Sequence, residues 1–425
     1  MKNSSQGTGR WLQLFVVASS AAMIYQLPYL RYSYYNSMME AFQVSNEQLG
    51  TMMSMYGLFM ILFYFPGGWI SDRFSNRNIM CLGLILTGAA GLLFSPFPSY
   101  SAALAISIFW SATTAMLFWT CMVGVTRSLG SENEQGRLFG LLEGGRGLIA
   151  TIAGLAIVPI FSGLGAGVAG LRMVILIYAV SCLVLGFIAF WVIKDPPRAA
   201  SAGSQKSGLG SFKQAFKSPA VWLITFIFFT TMNLFICLGY LTPYLTDVMG
   251  CTVALAAGIG IVRTWGLMML GGPIGGFIAD KITTSKTLVF SFTLIALGFL
   301  TLIVIPGNSS FLVVAVAAMM LFGFGIYVNR GIYFASLSEA GVPLELTGAA
   351  TAIITALGGS PDAFLYTVIG GWLDKYPGGL GFKYVFIYAS VNAACGIVAS
   401  VMLMRVIRKA KTRSALILND AAAIG

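Results

Sequence analysis

Gly67-Gly68-Trp69-Ile70-Ser71-Asp72-Arg73 closes a long apolar segment, and Gly275-Gly276-Phe277-Ile278-Ala279-Asp280-Lys281 closes another one 208 residues later. Each stretch joins paired glycines, an aspartate and a basic residue, and each leads through a short polar turn into a further apolar segment. A helix–turn–helix joint that occurs twice in a very hydrophobic chain indicates two halves of similar structure. Parallel repeats of this kind are a common plan of membrane transporters.

The composition predicts a membrane protein. Of the 425 residues, 57% are hydrophobic and 9% are charged, whereas a soluble domain carries about 25% charged residues. Apolar runs of about 20 residues, the length of a helix that crosses a bilayer, recur along the whole chain. We expect twelve spans, at residues 11–36, 47–70, 78–97, 101–126, 138–164, 171–193, 219–246, 253–279, 286–306, 310–336, 346–372 and 381–406.

The longest polar stretch, residues 194–218, is rich in Ser, Gly, Lys and Pro and predicts a flexible cytoplasmic linker. It separates a first six-helix bundle over 1–193 from a second bundle with a cytoplasmic tail over 219–425. The predicted fold is therefore all-α, with twelve transmembrane helices in two pseudosymmetric six-helix bundles.

The basic residues predict the orientation. Twelve spans place both termini on one face, and if that face is cytoplasmic, 18 of the 25 Lys and Arg fall in cytoplasmic segments. Only Arg172, Lys375 and Lys383 fall on the other side, and such an asymmetry sets orientation strongly. Because the net charge of +11 is spread over short loops, it does not indicate a nucleic-acid partner.

The first apolar run allows two interpretations. The sequence Ala-Ser-Ser-Ala-Ala at 18–22 is similar to the cleavage site of a signal peptide. However, the downstream chain is also membrane-like and no secreted domain follows. We therefore predict that this run is the first spanning helix.

Enzyme and metal chemistry find little support in the sequence. The chain has no histidine, which excludes His-based metal sites, His proton relays and the usual serine triads. Its six cysteines form no CxxC and mostly lie in apolar runs, as small buried side chains do. A Gly-rich phosphate-binding loop with Lys-Ser/Thr is also missing. We expect no enzymatic activity, no metal and no cofactor.

The joints and the twelve spans resemble the major facilitator superfamily, whose cytoplasmic signature is roughly Gly-x-Leu-x-Asp-Arg-x-Gly-Arg-Lys. The matching residues are Gly68, Asp72, Arg73 and Arg77 in the first joint and Gly276, Asp280, Lys281 and Lys286 in the second. The resemblance implies that the joints gate the cytoplasmic side. In one state Asp72 would accept hydrogen bonds at the N-terminus of the eleventh span, near Gly348, where a carboxylate is favoured.

Within the superfamily, the chain resembles the organophosphate:phosphate antiporters and related bacterial inner-membrane permeases. The resemblance rests on the tyrosine-rich end of the first span with Arg31, on Val221-Trp222-Leu223 and on Asp362. It implies that spans 1, 4, 7 and 10 line a central cavity. The chain departs from this branch because the seventh span has no arginine and Arg31 lies about one turn from the matching position.

Ionisable residues within the spans are the candidates for transport, because a charge at the bilayer centre costs about 3 kcal/mol or more. Four arginines lie within spans, against two clear carboxylates, Glu143 and Asp362. An excess of positive charge attracts anions, and the planar guanidinium suits carboxylate, phosphate or sulfonate groups. The predicted substrate-binding residues are Arg31, Arg263, Arg330, Tyr29, Tyr32, Asn233 and Tyr240.

Each candidate also has a structural alternative. Arg31 and Arg330 can extend to the membrane interfaces, and Arg263 can form an ion pair, for example with Asp362. Glu143 and Arg146 share a helix face at i, i+3 and can form a structural pair. As coupling candidates we retain Glu143, Asp362 and Arg146.

We therefore expect a monomeric secondary transporter of the bacterial inner membrane, with both termini in the cytoplasm. It would move a small organic anion by alternating access, through exchange with another anion or through symport with protons. Three alternatives stay open: a neutral-solute or drug permease of the same fold, a membrane enzyme such as a group transferase, and a non-transporting sensor.

Overall fold

The computed structural model describes residues 4–131, 134–195 and 209–424, and all regular elements in these ranges are helices. The first helix, α1, consists of two pieces, Ser4–Ile24 and Arg31–Phe42. Eleven further helices are long and apolar enough to cross a membrane: α2 (Asn46–Arg73), α3 (Asn76–Phe94), α4 (Tyr100–Ser128), α5 (Gln135–Gly163), α6 (Val168–Val192), α7 (Pro219–Asp247), α8 (Val253–Ile282), α9 (Thr284–Val304), α10 (Ser309–Ile332), α11 (Glu345–Lys375) and α12 (Gly379–Lys409). The all-α fold predicted from the sequence is confirmed, and Gly9–Ile24 of α1 is a shorter apolar helix at the position of the first predicted span.

The first span differs from the continuous helix predicted over 11–36, because a turn at 25–30 separates the two pieces of α1. Pro28 lies in this turn and has no N–H group to donate along a helix. The backbone N–H of Tyr32 instead donates to the carbonyl oxygen of Tyr29, three residues earlier, at 3.0 Å. The turn thus changes the direction in which the tyrosines of α1 point.

A carboxylate caps each of the two repeated joints. In the first half, Asp195 accepts a hydrogen bond from the backbone N–H of Arg77 at 3.0 Å and another from the hydroxyl of Ser75. In the second half, Glu339 accepts from the backbone N–H of Ser285 at 2.9 Å and from its hydroxyl at 2.7 Å. Negative charge is favoured at helix N-termini, so these caps fix the starts of α3 and α9 in equivalent ways.

The predicted linker, residues 194–218, is described only in part, since residues 196–208 lie outside the described ranges. After them a short helix, Leu209–Phe216, packs against the first part of α11. This end of the linker is therefore held against the second half of the chain. The division into 1–193 and 219–425 stays a prediction.

The two halves, α1–α6 and α7–α12, meet at one face of the molecule. We call the face where α1 begins the terminal face, and the face where α1 ends at Phe42 and α11 ends at Lys375 the opposite face. At the opposite face, the carboxylate of Asp374 accepts hydrogen bonds from the backbone N–H groups of Asn46 (3.0 Å) and Glu47 (2.8 Å). The end of α11 thereby caps the start of α2 across the boundary between the halves.

Glycines allow α2 and α11 to approach closely near the opposite face. A Cβ atom at Gly50 would lie 2.2 Å from the carbonyl oxygen of Tyr366, and one at Gly370 would lie 2.3 Å from that of Asn46. Real Cβ atoms do not approach so closely, so any larger residue would force the two backbones apart. The contact between the halves at this face is therefore a contact of backbone on backbone.

The halves separate toward the terminal face. Gly68 lies about five turns after Gly50 on the same side of α2, yet no other described part of the chain comes within 4 Å of its Cβ position. In α5, a Cβ atom at Gly147 would lie 2.9 Å from the backbone nitrogen of Met269, whereas Gly140, about two turns earlier, has nothing within 4 Å. The space between the halves therefore opens at the terminal face.

The substitution Gly50→Val should open the opposite face, because its side chain cannot fit against the carbonyl of Tyr366. We expect a longer distance between spin labels at Glu40 and Lys375, in a chain whose native cysteines are replaced, measured by pulsed electron paramagnetic resonance. Gly163→Val is the matched control, because nothing lies within 4 Å of that glycine. Equal distances in both variants would contradict the packing described above.

Candidate functional site

Aromatic side chains from both halves surround the break in α1. The ring centroid of Tyr29 lies 5.5 Å from that of Tyr32 and 5.9 Å from that of Tyr56 in α2. It also lies 6.4 Å from the ring of Trp265, which belongs to α8 in the second half. Tyr29 remains partly exposed. The predicted residues Tyr29 and Tyr32 therefore lie at the boundary between the halves, beside the space that separates them.

Arg263 lies in a π-helical stretch of α8, Val262–Gly266, and is fully buried. Such interruptions of α-helices occur frequently at functional sites. One Nη atom donates to the backbone carbonyl of Tyr32 at 2.9 Å and to the hydroxyl of Thr242 at 3.3 Å. The other Nη and the Nε have no hydrogen-bond partner.

The alternative of an ion pair between Arg263 and Asp362 is not observed. No hydrogen bond or ion pair joins the guanidinium of Arg263 to a carboxylate within the described ranges. A buried cation without a counter-ion is costly, because it loses its water and gains no opposite charge. Two donor nitrogens of Arg263 are therefore left without a partner among the described residues.

Arg31 begins the second piece of α1 and does not extend to a membrane interface, since it is only 2% exposed. Its guanidinium carbon lies 5.2 Å from the ring centroid of Tyr35, 4.6 Å from that of Tyr240 and 4.8 Å from that of Tyr366. None of its three guanidinium nitrogens has a hydrogen-bond partner. The predicted residue Tyr240 thus contacts Arg31 and is fully buried.

Arg330 of α10 and Asp362 of α11 lie near each other, and Asp362 packs against Gly57 of the first half. Arg330 is half-buried, and its guanidinium carbon lies 4.0 Å from the ring centroid of Phe235. Its charge acts on both Asp362 and Tyr29. Asp362 is buried in a 3-10 stretch, Ser360–Ala363, which interrupts α11 after its paired glycines. Gly358, Gly359 and Pro361 precede Asp362 and allow this break in the helix.

Glu143 and Arg146 form the ion pair that their i, i+3 spacing allows, with nitrogen–oxygen distances of 3.2 and 3.3 Å. The guanidinium carbon of Arg146 also lies 5.0 Å from the ring centroid of Tyr25 and 5.7 Å from that of Trp119. The pair belongs to the first half, on the side of α5 that faces Tyr25, whose ring lies beside that of Tyr29. Its coupling role stays a prediction.

The structure does not bring Asn233 to this cluster. Its side-chain amide donates to the carbonyl oxygen of Phe229 at 2.7 Å, and its side-chain oxygen accepts a hydrogen bond from Tyr388 of α12. Both polar atoms of the buried side chain are therefore used within the second half. The position of Asn233 along α7 can be read from the sequence, whereas the direction of its side chain is fixed by Tyr388 and Phe229.

The predicted gating residues lie at the terminal face, where Asp72, Arg73, Asp280 and Lys281 are exposed and Gly68, Arg77 and Gly276 are half-buried. The guanidinium of Arg73 lies 4.4 Å from the ring centroid of Trp69, and the ammonium of Lys281 lies 4.4 Å from that of Phe277. Asp72 and Asp280 are exposed, and Gly68, Gly276 and Gly348 have no described neighbour within 4 Å of their Cβ positions. The expected contact between Asp72 and the start of α11 is thus not made in this conformation. The backbone of Arg77 is held by Asp195, so Arg77 is part of the joint itself.

Sequence reasoning did not single out Tyr35, Trp265, Tyr366 or Asp374. Tyr366 follows Asp362 by four residues, which would place both on one side of a regular helix. That spacing was the only available signal for it. The other three become prominent only through contacts with distant segments, which a single sequence does not record.

Two solved transporters have a similar fold. A bacterial homologue of the human lysosomal transporter Spinster, in an inward-facing and unoccupied conformation, aligns with a TM-score of 0.74 at 15% identity, covering 96% of this chain and 99% of its own. A mutant of the nucleoside transporter NupG aligns with a TM-score of 0.73 at 15% identity, covering 93% and 99%. At such identities the likeness shows the fold alone.

Two Escherichia coli (strain K12) proteins are similar in sequence over nearly their whole length. Inner membrane protein YihN is 31% identical over 95% of this chain and 97% of its own, and inner membrane protein YqcE is 29% identical over 96% and 97%. The family model described as Major Facilitator Superfamily matches residues 12–364. The chain therefore belongs to the major facilitator superfamily of transporters.

Proposed function

We propose that this transporter moves a small organic anion bearing a carboxylate, phosphate or sulfonate group. The observation that carries the proposal is Arg263, a fully buried guanidinium with two unpartnered nitrogens and no carboxylate in contact. A planar guanidinium donates two parallel hydrogen bonds to such groups. Binding an anion would supply both the missing partners and the missing opposite charge.

The surroundings of Arg263 support this assignment. Arg330 and Arg146 add positive charge near Tyr29 and Tyr327, as their electrostatic influence on these side chains indicates. Of the carboxylates in this region, Glu143 is engaged by Arg146, so Asp362 is the acid left to offset the remaining charge. A surplus of positive charge in a low-dielectric site attracts anions.

We also propose an orientation and a cycle. If the basic terminal face is cytoplasmic, as the positive-inside rule predicts, the structure is open to the cytoplasm. When that face closes, Asp72 would reach the N-terminus of α11, and Asp280 of the second half would make the equivalent contact with the N-terminus of α5. Asp362 is then the candidate for carrying a proton, should coupling be to protons rather than to a second anion.

A neutral ring-bearing solute is the second candidate substrate. The observation in its favour is the cluster of Tyr29, Tyr32, Tyr56 and Trp265, whose rings offer stacking surfaces without charge. Such a solute would leave the free nitrogens of Arg263 unpaired, which makes this candidate the weaker one.

In the absence of ligand, Arg263→Met should leave the thermal unfolding temperature unchanged or raise it by about 2 to 4 °C, because the variant removes an unpaired buried charge. Differential scanning fluorimetry of the purified protein would measure this. The matched control is Arg146→Met, which breaks an observed ion pair and should lower the unfolding temperature. A large decrease for Arg263→Met would show that this arginine is a structural anchor.

An anionic ligand should raise the unfolding temperature of the wild type, because binding to the native state at 100 times Kd contributes about 2.7 kcal/mol. The compounds to compare are sugar phosphates, glycerol phosphate, sulfonates, carboxylates and neutral sugars. We expect an increase with one class of anions and its loss in Arg263→Met. An increase with neutral sugars alone, equal in both proteins, would contradict the anion proposal.

A further inference from the structure

The ring box around Arg31 is built from both halves of the transporter. Arg31 and Tyr35 belong to the second piece of α1, whereas Tyr240 comes from α7 and Tyr366 from the last part of α11. All four side chains are at most 2% exposed. Separation of the halves at the opposite face would therefore withdraw the guanidinium from two of its three aromatic neighbours.

Hydrogen bonds across the boundary hold the walls of this box in place. The hydroxyl of Tyr240 donates to the backbone carbonyl of Tyr366. The hydroxyls of Tyr32 and Tyr366 lie 2.8 Å apart, and Thr242 donates to the carbonyl oxygen of Tyr32 at 2.6 Å. Two of these three bonds join the first half to the second, so the rings cannot leave Arg31 without breaking contacts between the halves.

No ligand of the proposed kind fits beside Arg31 in this conformation. The cavity that it lines with Leu27, Pro28 and Tyr56 has a volume of about 20 Å³, which is room for a single water molecule. The guanidinium contacts no carboxylate in the described ranges and has no hydrogen-bond partner. The faces of the three tyrosine rings are thus the partners that stabilise its charge here.

We propose that Arg31 with Tyr35, Tyr240 and Tyr366 forms a cation–π latch that holds the two halves together at the opposite face. Arg31 is then a gating residue in this conformation, and the anion site proposed above relies on Arg263 and its neighbours. The latch differs from the cap made by Asp374, because its contacts are between a cation and aromatic faces inside the boundary. It does not require that the substrate be an anion.

The test uses the full-length protein with spin labels at Glu40 and Lys375 and no ligand. Arg31→Met removes the cation, and Tyr240→Leu removes one aromatic face. Each should raise the fraction of molecules with a long label distance at least threefold. In the double variant the increase should not exceed that of the larger single variant, because both substitutions break the same interaction.

Conservative variants separate the latch from ordinary packing. Tyr240→Phe keeps the ring but loses the hydroxyl, and Arg31→Lys keeps a cation, so both should stay closer to the wild type than Tyr240→Leu and Arg31→Met. If Tyr240→Phe opens the opposite face as much as Tyr240→Leu, the hydroxyl of Tyr240 and not its ring face holds the halves together, and the latch is refuted. An unchanged distance distribution in Arg31→Met would refute it as well.

Thermal unfolding of each variant shows whether the protein still folds, and a variant that does not fold is replaced by its conservative counterpart. Since the label distances are measured without substrate, they do not depend on the anion experiment with Arg263→Met. Either proposal can therefore fail while the other stands.

Discussion

The burial of arginine side chains is the constraint on which the boundary between the two halves depends. A guanidinium that loses water must regain hydrogen bonds, opposite charge or aromatic faces. Arg146 gains Glu143, and Arg31 gains three tyrosine rings. Arg263 gains only a backbone carbonyl and a hydroxyl and keeps two nitrogens unpartnered. Among the described residues, Arg263 contacts neither a carboxylate nor an aromatic face, and it is thus the arginine that we connect with the substrate.

The break in α1 makes these different environments possible. A continuous helix would direct the tyrosines of residues 25–35 around a single cylinder at regular intervals. The turn at Pro28 instead lets Tyr29 face the other half's Trp265, while the carbonyl of Tyr32 stays available to Arg263. Pro28 in the first span therefore affects the space beside Tyr29, the opposite face and the contact with α8.

Much of the fold followed from the sequence because its signals are local. Apolar runs and the repeated joints can be read within short windows, and so can the i, i+3 pair of Glu143 and Arg146. The surroundings of Arg31 could not be predicted, because Tyr240 and Tyr366 approach it only through the packing of three helices. The direction of Asn233 depends in the same way on α12. Neither residue depth nor composition decides which conformation the two halves adopt.

The glycine contact between α2 and α11 involves no residue that is proposed to bind substrate. At Gly50 and Gly370 the contact at the opposite face is formed by backbone atoms, so its shape does not depend on the chemistry of the substrate. The candidate recognition groups lie on other segments, in α1, α8 and α10. Side chains there can be substituted while the backbone contact between α2 and α11 at the opposite face stays the same. Substitutions of Arg263 in α8 or of Arg330 in α10 can therefore change recognition while the glycine contact at the opposite face is kept.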